Sequence, residues 1–310
     1  MKIIGKHYLL DLVAVVFWIT SQALAAQDSF AGLNQWYFSE TVAMAGAGGA
    51  LTSPASDRLN PATLRGTGRA VQLSLLRYPA SIGAGALSWV IPGERRTRAI
   101  SIRHTNYGLF EGRDETNNPT GTHSSSETWL SVSTARSLGK HPVDWGLTGG
   151  LFMSNLASYQ AVVASITLGG VYHLKALGLR VGTSLRNMGW VLNSYTSAKE
   201  TLPTILHGSL AKSLAYLPLE LVLDAEYLLA AKETIVRFGG VFALPYHMVL
   251  RWGTSSNRLD QRGGVSLTRD FFSDTGVGLS FNTGDYQLTL GSYFYGPGGW
   301  ITGFSFGVVF

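Results

Sequence analysis

Acidic side chains at alternate positions of one segment are the first candidates for chemistry. Glu220, Asp224 and Glu226 are spaced by two or four residues, which places them on one face of an extended strand. Carboxylates held side by side can act as a general acid and a general base. Ion pairing with arginines on similar segments is the alternative, and we favour it. Those arginines are Arg180, Arg186, Arg237 and Arg251.

The other residue types that catalyse reactions or bind metals show no catalytic spacing. The histidines are scattered, without an HxxxH or HExxH pattern, and are interpreted as surface or lumen side chains. Ser124–Ser126 lacks the glycines of a nucleophile elbow. Cysteine is absent, which excludes disulfides and thiolate chemistry. We therefore predict no enzymatic activity, no metal and no cofactor.

The composition indicates a β-protein in a solvent other than water. Of 310 residues, 14% are charged and 11% aromatic, and 37 are glycine, whereas soluble domains average roughly 25% charged residues. The low charge argues against a disordered chain. The formal net charge of +5 is small and dispersed along the chain, so no nucleic-acid partner is expected.

The first 25 residues have the layout of a secretory signal peptide. Lys2 and Lys6 precede an apolar stretch over residues 8–20, and small residues follow up to Ala25. Asp11 interrupts this stretch. A membrane anchor is the alternative, but the stretch is shorter than the ~20 residues that a transmembrane helix needs. We expect cleavage after Ala25.

Period-two alternation recurs along the rest of the chain. About fifteen segments of roughly 9–12 residues alternate apolar side chains with glycine, serine or threonine. Tilted strands of this length span a bilayer, whereas strands of soluble sandwiches are nearer 5–6 residues. Because membrane barrels usually have an even strand number, we predict an all-β fold, an antiparallel transmembrane β-barrel of fourteen strands. Residues 262–269 and 82–91 are the weakest strand candidates, and a soluble β-sandwich is the alternative fold.

The two parities predict which side chains face lipid and which face the lumen. Leu219, Leu221 and Leu223 belong to the apolar parity and are expected to face lipid. The three acids and four arginines named above are expected to face the lumen. Aromatic residues near strand ends fit the interfacial girdles of membrane barrels. They are Trp129, Trp145, Tyr172, Trp252, Tyr286 and Trp300.

The end of the chain carries a further membrane-barrel feature. Residues 300–310 alternate phenylalanine and valine with glycine and serine, and they place Phe306 and Phe310 on one face. A last strand that ends in phenylalanine resembles the assembly signal of Gram-negative outer-membrane barrels. We therefore expect the mature protein to be integral to the outer membrane of a Gram-negative bacterium, with outer-membrane lipid around it.

Residues 26–68 do not follow the strand repeat. Gly46, Gly48 and Gly49 lie in a run of small residues, and Asn60-Pro61 favours a turn or a helix start. A glycine-rich run could cradle phosphate, but no GxxxxGK[ST] motif is present. Because small residues permit close backbone approach, we predict that 26–68 form a plug-like segment entering the lumen and that 69–310 form the barrel.

Three ordered motifs resemble the PorV/PorQ family of outer-membrane barrels, distant relatives of the FadL-like channels. The first combines residues 46–50 with 60–64, the second spans 106–127, and the third starts at 185–189 and continues to 218–219. The second and third are more similar to PorQ. The resemblance implies a fourteen-stranded barrel with its N-terminal segment in the lumen. It also implies a non-enzymatic role in type IX secretion, anchoring a PorZ-like surface protein within a complex that includes PorU-like and PorV-like subunits.

The longest irregular stretch between predicted strands, residues 107–127, is the candidate partner surface. Its composition is typical of a solvated loop. The candidate contact residues are Glu111, Arg113, Asp114 and Glu115. A FadL-like channel for small hydrophobic molecules is the alternative function. An outer-membrane hydrolase is a third possibility, which lacks a recognisable nucleophile.

Overall fold

A computed structural model describes residues 30–139, 141–197, 200–259 and 272–310. In these residues fourteen antiparallel strands close into a barrel, in which each strand pairs with its sequence neighbours and the last pairs with the first. The predicted signal peptide and the strand candidate at 262–269 lie outside the described residues. The strands are β1 (Ala70–Arg77), β2 (Gly83–Ile91), β3 (Arg96–Arg113), β4 (Pro119–Ser137), β5 (Val143–Leu156), β6 (Tyr159–Leu174), β7 (Leu179–Asn193), β8 (Ile205–Ser213), β9 (Leu219–Leu228), β10 (Glu233–Ala243), β11 (Met248–Ser255), β12 (Thr275–Thr283), β13 (Tyr286–Phe294) and β14 (Trp300–Val309).

The closed fourteen-stranded barrel confirms the predicted fold class. On β9, Leu223 is 44% exposed whereas the next residue, Asp224, is fully buried. A water-soluble protein would bury the leucine and expose the acid. The same inversion runs around the barrel, because large apolar side chains face outward and serine and threonine face inward. The apolar outer face is therefore suited to contact with membrane lipid. The candidate at 82–91 is a strand, β2.

The two ends of the barrel differ in their connections. At the end where β1 begins and β14 ends, the connections have two to five residues, and we call it the short-turn end. The two longest connections, 194–204 and 256–274, lie at the opposite end, which we call the long-loop end. Strands β3 and β4 are also the longest, with 18 and 19 residues, so the wall reaches furthest there.

The prediction of an irregular loop at 107–127 is wrong. β3 continues to Arg113 and β4 begins at Pro119, so the turn comprises only residues 114–118. The serines and threonines of β4 alternate as in a strand, and the ladder between β3 and β4 pairs them. Glu111 and Arg113 are therefore strand residues.

This β3–β4 hairpin stands free above the rest of the wall. The pairing of β3 with β2 ends at Asn106, and β4 pairs with β5 only from Ser125 onward. Beyond these points each strand has only the other as a partner. The hairpin therefore projects into solvent at the long-loop end, where its polar side chains need no lipid partner.

The placement of Trp129 in an interfacial girdle is also wrong. Its side chain is 1% exposed and faces the lumen, because it shares the inward parity of β4. Position near a strand end predicts a girdle for Trp129, but the alternation of β4 places its side chain inside. Trp145, Tyr172, Tyr286 and Trp300 are exposed on the outer face.

Residues 30–64 run through the lumen, and we call them the plug. The plug contains one short helix, α1, and three 3-10 helices, and its apolar residues pack on the inner wall. No helix in the described ranges is long and apolar enough to cross a membrane. The helical elements are α1 (Ser39–Ala43) and the 3-10 helices Ala31–Asn34, Ser56–Arg58, Pro61–Leu64, Pro79–Ser81, Lys175–Leu177, Ser256–Leu259 and Gly296–Gly298.

Candidate functional site

Glycines of the inner wall let the plug backbone lie directly on the barrel. A Cβ atom at Gly253 would lie 2.2 Å from the carbonyl oxygen of Met44, and one at Gly276 would lie 2.4 Å from that of Val42. Both distances are far below van der Waals contact. A side chain at either position would push α1 and the residues after it away from β11 and β12.

The glycines of the first motif adopt conformations that other residues rarely reach. Gly46 has φ +84° and Gly48 has φ +131°. The turn that they form directs the N–H groups of Gly48 and Gly49 to one carboxylate oxygen of Asp224, at 2.8 and 3.0 Å. A Cβ atom at Gly49 would overlap the ring of His207. The motif is therefore a backbone docking element.

Asp224 is the acceptor that holds the plug on β9. Besides the two N–H groups, its carboxylate accepts a hydrogen bond from the hydroxyl of Ser209 and lies 3.2 Å from Nε2 of His207. All three side chains are buried. A buried carboxylate with several donors is held by charge-assisted hydrogen bonds, which are stronger than neutral ones.

Asn60 joins two segments of the plug to each other and to β6. Its side-chain nitrogen donates to the carbonyl oxygens of Gly49 and Gly170, at 2.9 and 3.1 Å. Its side-chain oxygen accepts from the N–H of Ala62 and so caps the 3-10 helix that begins at Pro61. One side chain thus joins two parts of the plug to the wall.

A buried ion cluster links the plug to β7, β9 and β10. Glu226 lies between Arg186, at 2.7 Å, and Arg237, at 3.1 Å. Arg237 also donates to the carbonyl oxygen of Ala45 in the plug, at 2.7 Å. Because an unpaired buried charge costs several kcal/mol, the three side chains depend on one another and on the seated plug.

A second buried pair, Arg103–Asp57, escaped the sequence analysis. The guanidinium of Arg103 on β3 lies 2.5 Å from the carboxylate of Asp57 in the plug, and neither is exposed. The same guanidinium lies 4.7 Å from the ring centroid of Trp129, a cation–π contact. In the sequence, Arg103 shares its parity with small and polar residues such as Ser101 and Thr105. That pattern predicts a side chain that faces the lumen.

A bulge on β7 explains part of the third motif. Asn187 has φ 56° and follows Arg186 on the same inward side, where the pairing of β6 with β7 shifts register. Its side-chain amide donates to Asn34 of the plug at 2.7 Å and to the carbonyl oxygen of Pro203 at 3.2 Å. The bulge therefore directs the side-chain amide of Asn187 toward the plug and toward the 194–204 connection.

The remaining predicted lumen charges lie at the short-turn end. Arg180 pairs with Glu220 at 2.5 Å, and Arg251 donates to the hydroxyl of Ser280. They line a cavity of about 370 Å³ between the plug and the wall, together with Glu40 and other residues. This end of the lumen is thus partly open and carries charged side chains, which pair with the wall rather than with the plug.

An apolar cavity of about 460 Å³ opens above the plug at the long-loop end. Phe30 stacks on Tyr195 with a centroid distance of 5.4 Å, and the hydroxyl of Tyr107 donates to Glu127 at 2.6 Å. We call this cavity the aromatic cup. Its principal lining residues are Phe30, Tyr107, Phe110, Glu127, Leu156 and Tyr195.

The aromatic cup depends on the β3–β4 hairpin, which the composition of residues 107–127 predicts as a loop. A register shift between Asn106 and Gly108 places Tyr107 in a bulge on β3. Tyr107 and Phe110 then both line the cup, whereas Leu109 between them is 75% exposed and does not. The bulge therefore brings two aromatic rings to the mouth of the lumen.

The four predicted partner-contact residues lie at the hairpin tip. Arg113 is 3.4 Å from Glu111, and both are well exposed, so this pair contributes little to stability. The carboxylate of Asp114 accepts from the N–H groups of Asn118 and Thr116. These hydrogen bonds, that from Asn118 first, hold the pKa of Asp114 below its usual value. Glu115 is exposed in the turn.

The two C-terminal phenylalanines lie on the outer surface of β14 and just beyond it. Phe306 stacks on Tyr286 of β13 with a centroid distance of 5.9 Å. Phe310 is largely exposed, and its N–H donates to the carbonyl oxygen of Arg69 next to β1. The last residue is thus joined to the strand that closes the barrel.

No group of three or more metal-ligating side chains occurs in the part of the chain that the structure describes.

No protein-family model matches the sequence, and no curated protein matches it. Solved structures do match. The Pseudomonas putida toluene transporter TodX shares 13% identity over 92% of this chain and 98% of its own, with a TM-score of 0.60. A TodX monoaromatic hydrocarbon channel deltaS2 mutant matches over 88% and 97%, with 13% identity and a TM-score of 0.56. The likeness establishes a shared fold, that of outer-membrane barrels, and supplies no support for the PorV/PorQ resemblance.

Proposed function

We propose that this protein is an outer-membrane channel that admits small hydrophobic molecules. The carrying observation is the aromatic cup, a largely apolar cavity at the mouth of a barrel whose lumen is filled by the plug. Its volume of about 460 Å³ lies within the ~300–1,000 Å³ of small-molecule sites. The similarity in fold to a toluene transporter supports the same class of substrate.

The orientation follows from the connections. Outer-membrane barrels have short periplasmic turns and longer extracellular loops. The aromatic cup then faces the exterior, where substrate arrives, and the cavity lined by Arg180 and Glu220 faces the periplasm. Localisation to the outer membrane of a Gram-negative bacterium, after removal of residues 1–25, belongs to this proposal.

The expected affinity is modest, as a channel requires. A single aromatic ring buries about 150 Å², which at about 25 cal/mol per Å² contributes about 4 kcal/mol. That energy corresponds to a dissociation constant of about 1 mM, and the free-energy cost of association makes binding weaker than this limit. A ligand bound this weakly enters the cup and also leaves it. Passage beyond the cup requires the plug to move, because Leu33 and the rings of Trp129 and Phe152 are buried below it.

Uptake of a radiolabelled monoaromatic hydrocarbon by cells that lack other hydrophobic channels tests the proposal. Expression of the wild type is expected to raise uptake, and Phe110→Asp is expected to abolish the gain because it replaces an apolar ring of the cup with a second carboxylate. Leu109→Asp is the matched control, since Leu109 is exposed on the same strand but does not line the cup. Uptake that Phe110→Asp leaves unchanged would contradict the proposal.

The anchoring role implied by the PorV/PorQ resemblance is the second candidate. The observation that favours it is the free-standing β3–β4 hairpin, whose tip presents Glu111, Arg113, Asp114 and Glu115 to solvent. Deletion of the gene would then release a PorZ-like surface protein and impair cargo attachment, and hydrocarbon uptake would be unaffected. The two functions thus predict opposite phenotypes for one deletion strain.

A further inference from the structure

Three arginines form a cluster on the outer wall of the barrel at the short-turn end. Arg96 and Arg98 are the first and third residues of β3, and Arg136 is the penultimate residue of β4. All three are exposed, and they alternate with buried, inward-facing residues such as Thr97 and Ala135. Their side chains therefore lie on the lipid-facing surface.

The register brings these positive charges together. Arg96 and Arg136 are direct cross-strand partners, and Arg98 lies two residues further along the same face. Like charges directly opposite each other on a sheet destabilise it. An anion outside the chain that lies between the guanidinium groups would relieve this repulsion.

No described residue provides such an anion. None of the three guanidinium groups forms an ion pair or a side-chain hydrogen bond with another described residue. Glu94, in the turn before β3, is exposed and forms no ion pair with described residues either. Most lumen charges, in contrast, are paired: Arg103, Arg180, Arg186 and Arg237 each contact a carboxylate.

The neighbours of the cluster place it at the boundary between lipid tails and headgroups. Ile100 follows Arg98 on the outward face of β3 and is half-exposed. Trp89 pairs with Ile100 from β2, and Trp145 pairs with Arg136 from β5. Both tryptophans are exposed on the outer face, and tryptophan concentrates at the membrane–water interface.

We propose that Arg96, Arg98 and Arg136 bind the phosphate group of an anionic glycerophospholipid in the leaflet at the short-turn end. Guanidinium groups bind phosphate oxygens in a bidentate geometry, and three neighbouring cations complement an anionic headgroup. The acyl chains of the lipid would lie along Ile100 and the outer face of β4. Short turns mark the periplasmic side, where the leaflet consists of glycerophospholipids.

The test uses the full-length protein, purified in detergent and titrated with phosphatidylglycerol, with zwitterionic phosphatidylcholine or with lipid A. Native mass spectrometry measures the lipid that stays bound. The wild type is expected to prefer phosphatidylglycerol, and the triple variant Arg96→Gln, Arg98→Gln, Arg136→Gln is expected to lose roughly 100-fold in affinity for it. The control variant Arg77→Gln, Arg113→Gln, Lys212→Gln removes the same charge from exposed sites elsewhere and should bind as the wild type does.

Equal binding of phosphatidylglycerol by the triple variant and the wild type would overturn the proposal. Preference of the same arginines for lipid A would overturn it as well, because the ligand would then belong to the opposite leaflet. Should the triple variant fail to fold, the wild type alone provides the test. Its heat-modifiable unfolding temperature should rise with the phosphatidylglycerol content of phosphatidylcholine vesicles, and this rise should vanish at high salt. A temperature independent of lipid charge would refute the site.

Discussion

Replacing Asp224 with alanine is expected to detach the plug from β9 and leave the barrel closed. The carboxylate accepts from the N–H groups of Gly48 and Gly49 and from the hydroxyl of Ser209. The pairing of β9 with β8 and β10 uses backbone groups. The wall therefore keeps its backbone hydrogen bonds when the side chain is removed and loses only the hydrogen bond from the Ser209 hydroxyl, whereas the plug loses an anchor.

The expected magnitude follows from the two bonds to the plug. A hydrogen bond to a charged group contributes about 1.5–3 kcal/mol, so losing two weakens plug seating by about 3–6 kcal/mol. Because the freed N–H groups bind water once the plug moves, the lower value is the better expectation. About 3 kcal/mol corresponds to roughly a 100-fold rise in the population of the detached plug.

Thiol labelling measures this population. The chain contains no cysteine, so Ala47→Cys introduces a single thiol at a position that is 3% exposed in the seated plug. Its reaction with a bulky maleimide is expected to be slow in the wild-type background and roughly 100-fold faster with Asp224→Ala. Heat-modifiable migration in gels reports separately whether the barrel is closed.

Glu220→Ala is the matched control for this experiment. Glu220 lies on the same face of β9, but its carboxylate pairs with Arg180 and Ser213 rather than with the plug. Labelling at position 47 should therefore stay slow in that background. Equal labelling rates in the wild-type and Asp224→Ala backgrounds would refute the role of Asp224 as the plug anchor. Asp224→Asn, which keeps one acceptor oxygen, is expected to give an intermediate rate.

Three further changes probe the wall, the glycine contacts and the hairpin. Leu223→Arg places a charge on the lipid face, so it should cost about 2–4 kcal/mol and abolish heat-modifiable assembly; normal assembly would contradict the assigned orientation. Gly253→Leu should expose a thiol at position 47 as Asp224→Ala does, because its side chain would occupy the place of the Met44 carbonyl; slow labelling would show that the wall tolerates a side chain there. Shortening residues 113–120 should leave the barrel folded, since the tip pairs only within the hairpin, and loss of heat-modifiable migration would show that the hairpin is needed for closure.

The sequence by itself determined the barrel and the face of most residues. A residue in a barrel strand has two environments, and side chains alternate between them with a period of two. Parity therefore separated Leu223 from Asp224 without knowledge of the partner strands. The same local rule marked the arginines of β7 and β10 as lumen residues, because it needs only the neighbouring positions in the chain.

Composition could not distinguish the projecting hairpin from a loop. Residues 107–127 are polar, and polar residues suit both a solvated loop and a strand with water on both faces. The hairpin forms because β3 and β4 are already paired below it. The bulge that aims Tyr107 into the aromatic cup likewise depends on the register of two strands, which no single segment encodes.

Only the tertiary structure decided which lumen charges meet the plug. Gly48 and Asp224 are separated by 176 positions, and Arg103 finds its partner, Asp57, in a segment with no strand repeat. Parity predicts that a charged side chain lies inside the barrel, but it does not predict the position of that side chain along the barrel axis. Asp224 lies near the middle of β9 and holds the plug. Glu220 lies four residues earlier on the same face and pairs with Arg180 at the short-turn end. The position along the axis is set by how the strands are staggered around the closed barrel and by where the plug turns.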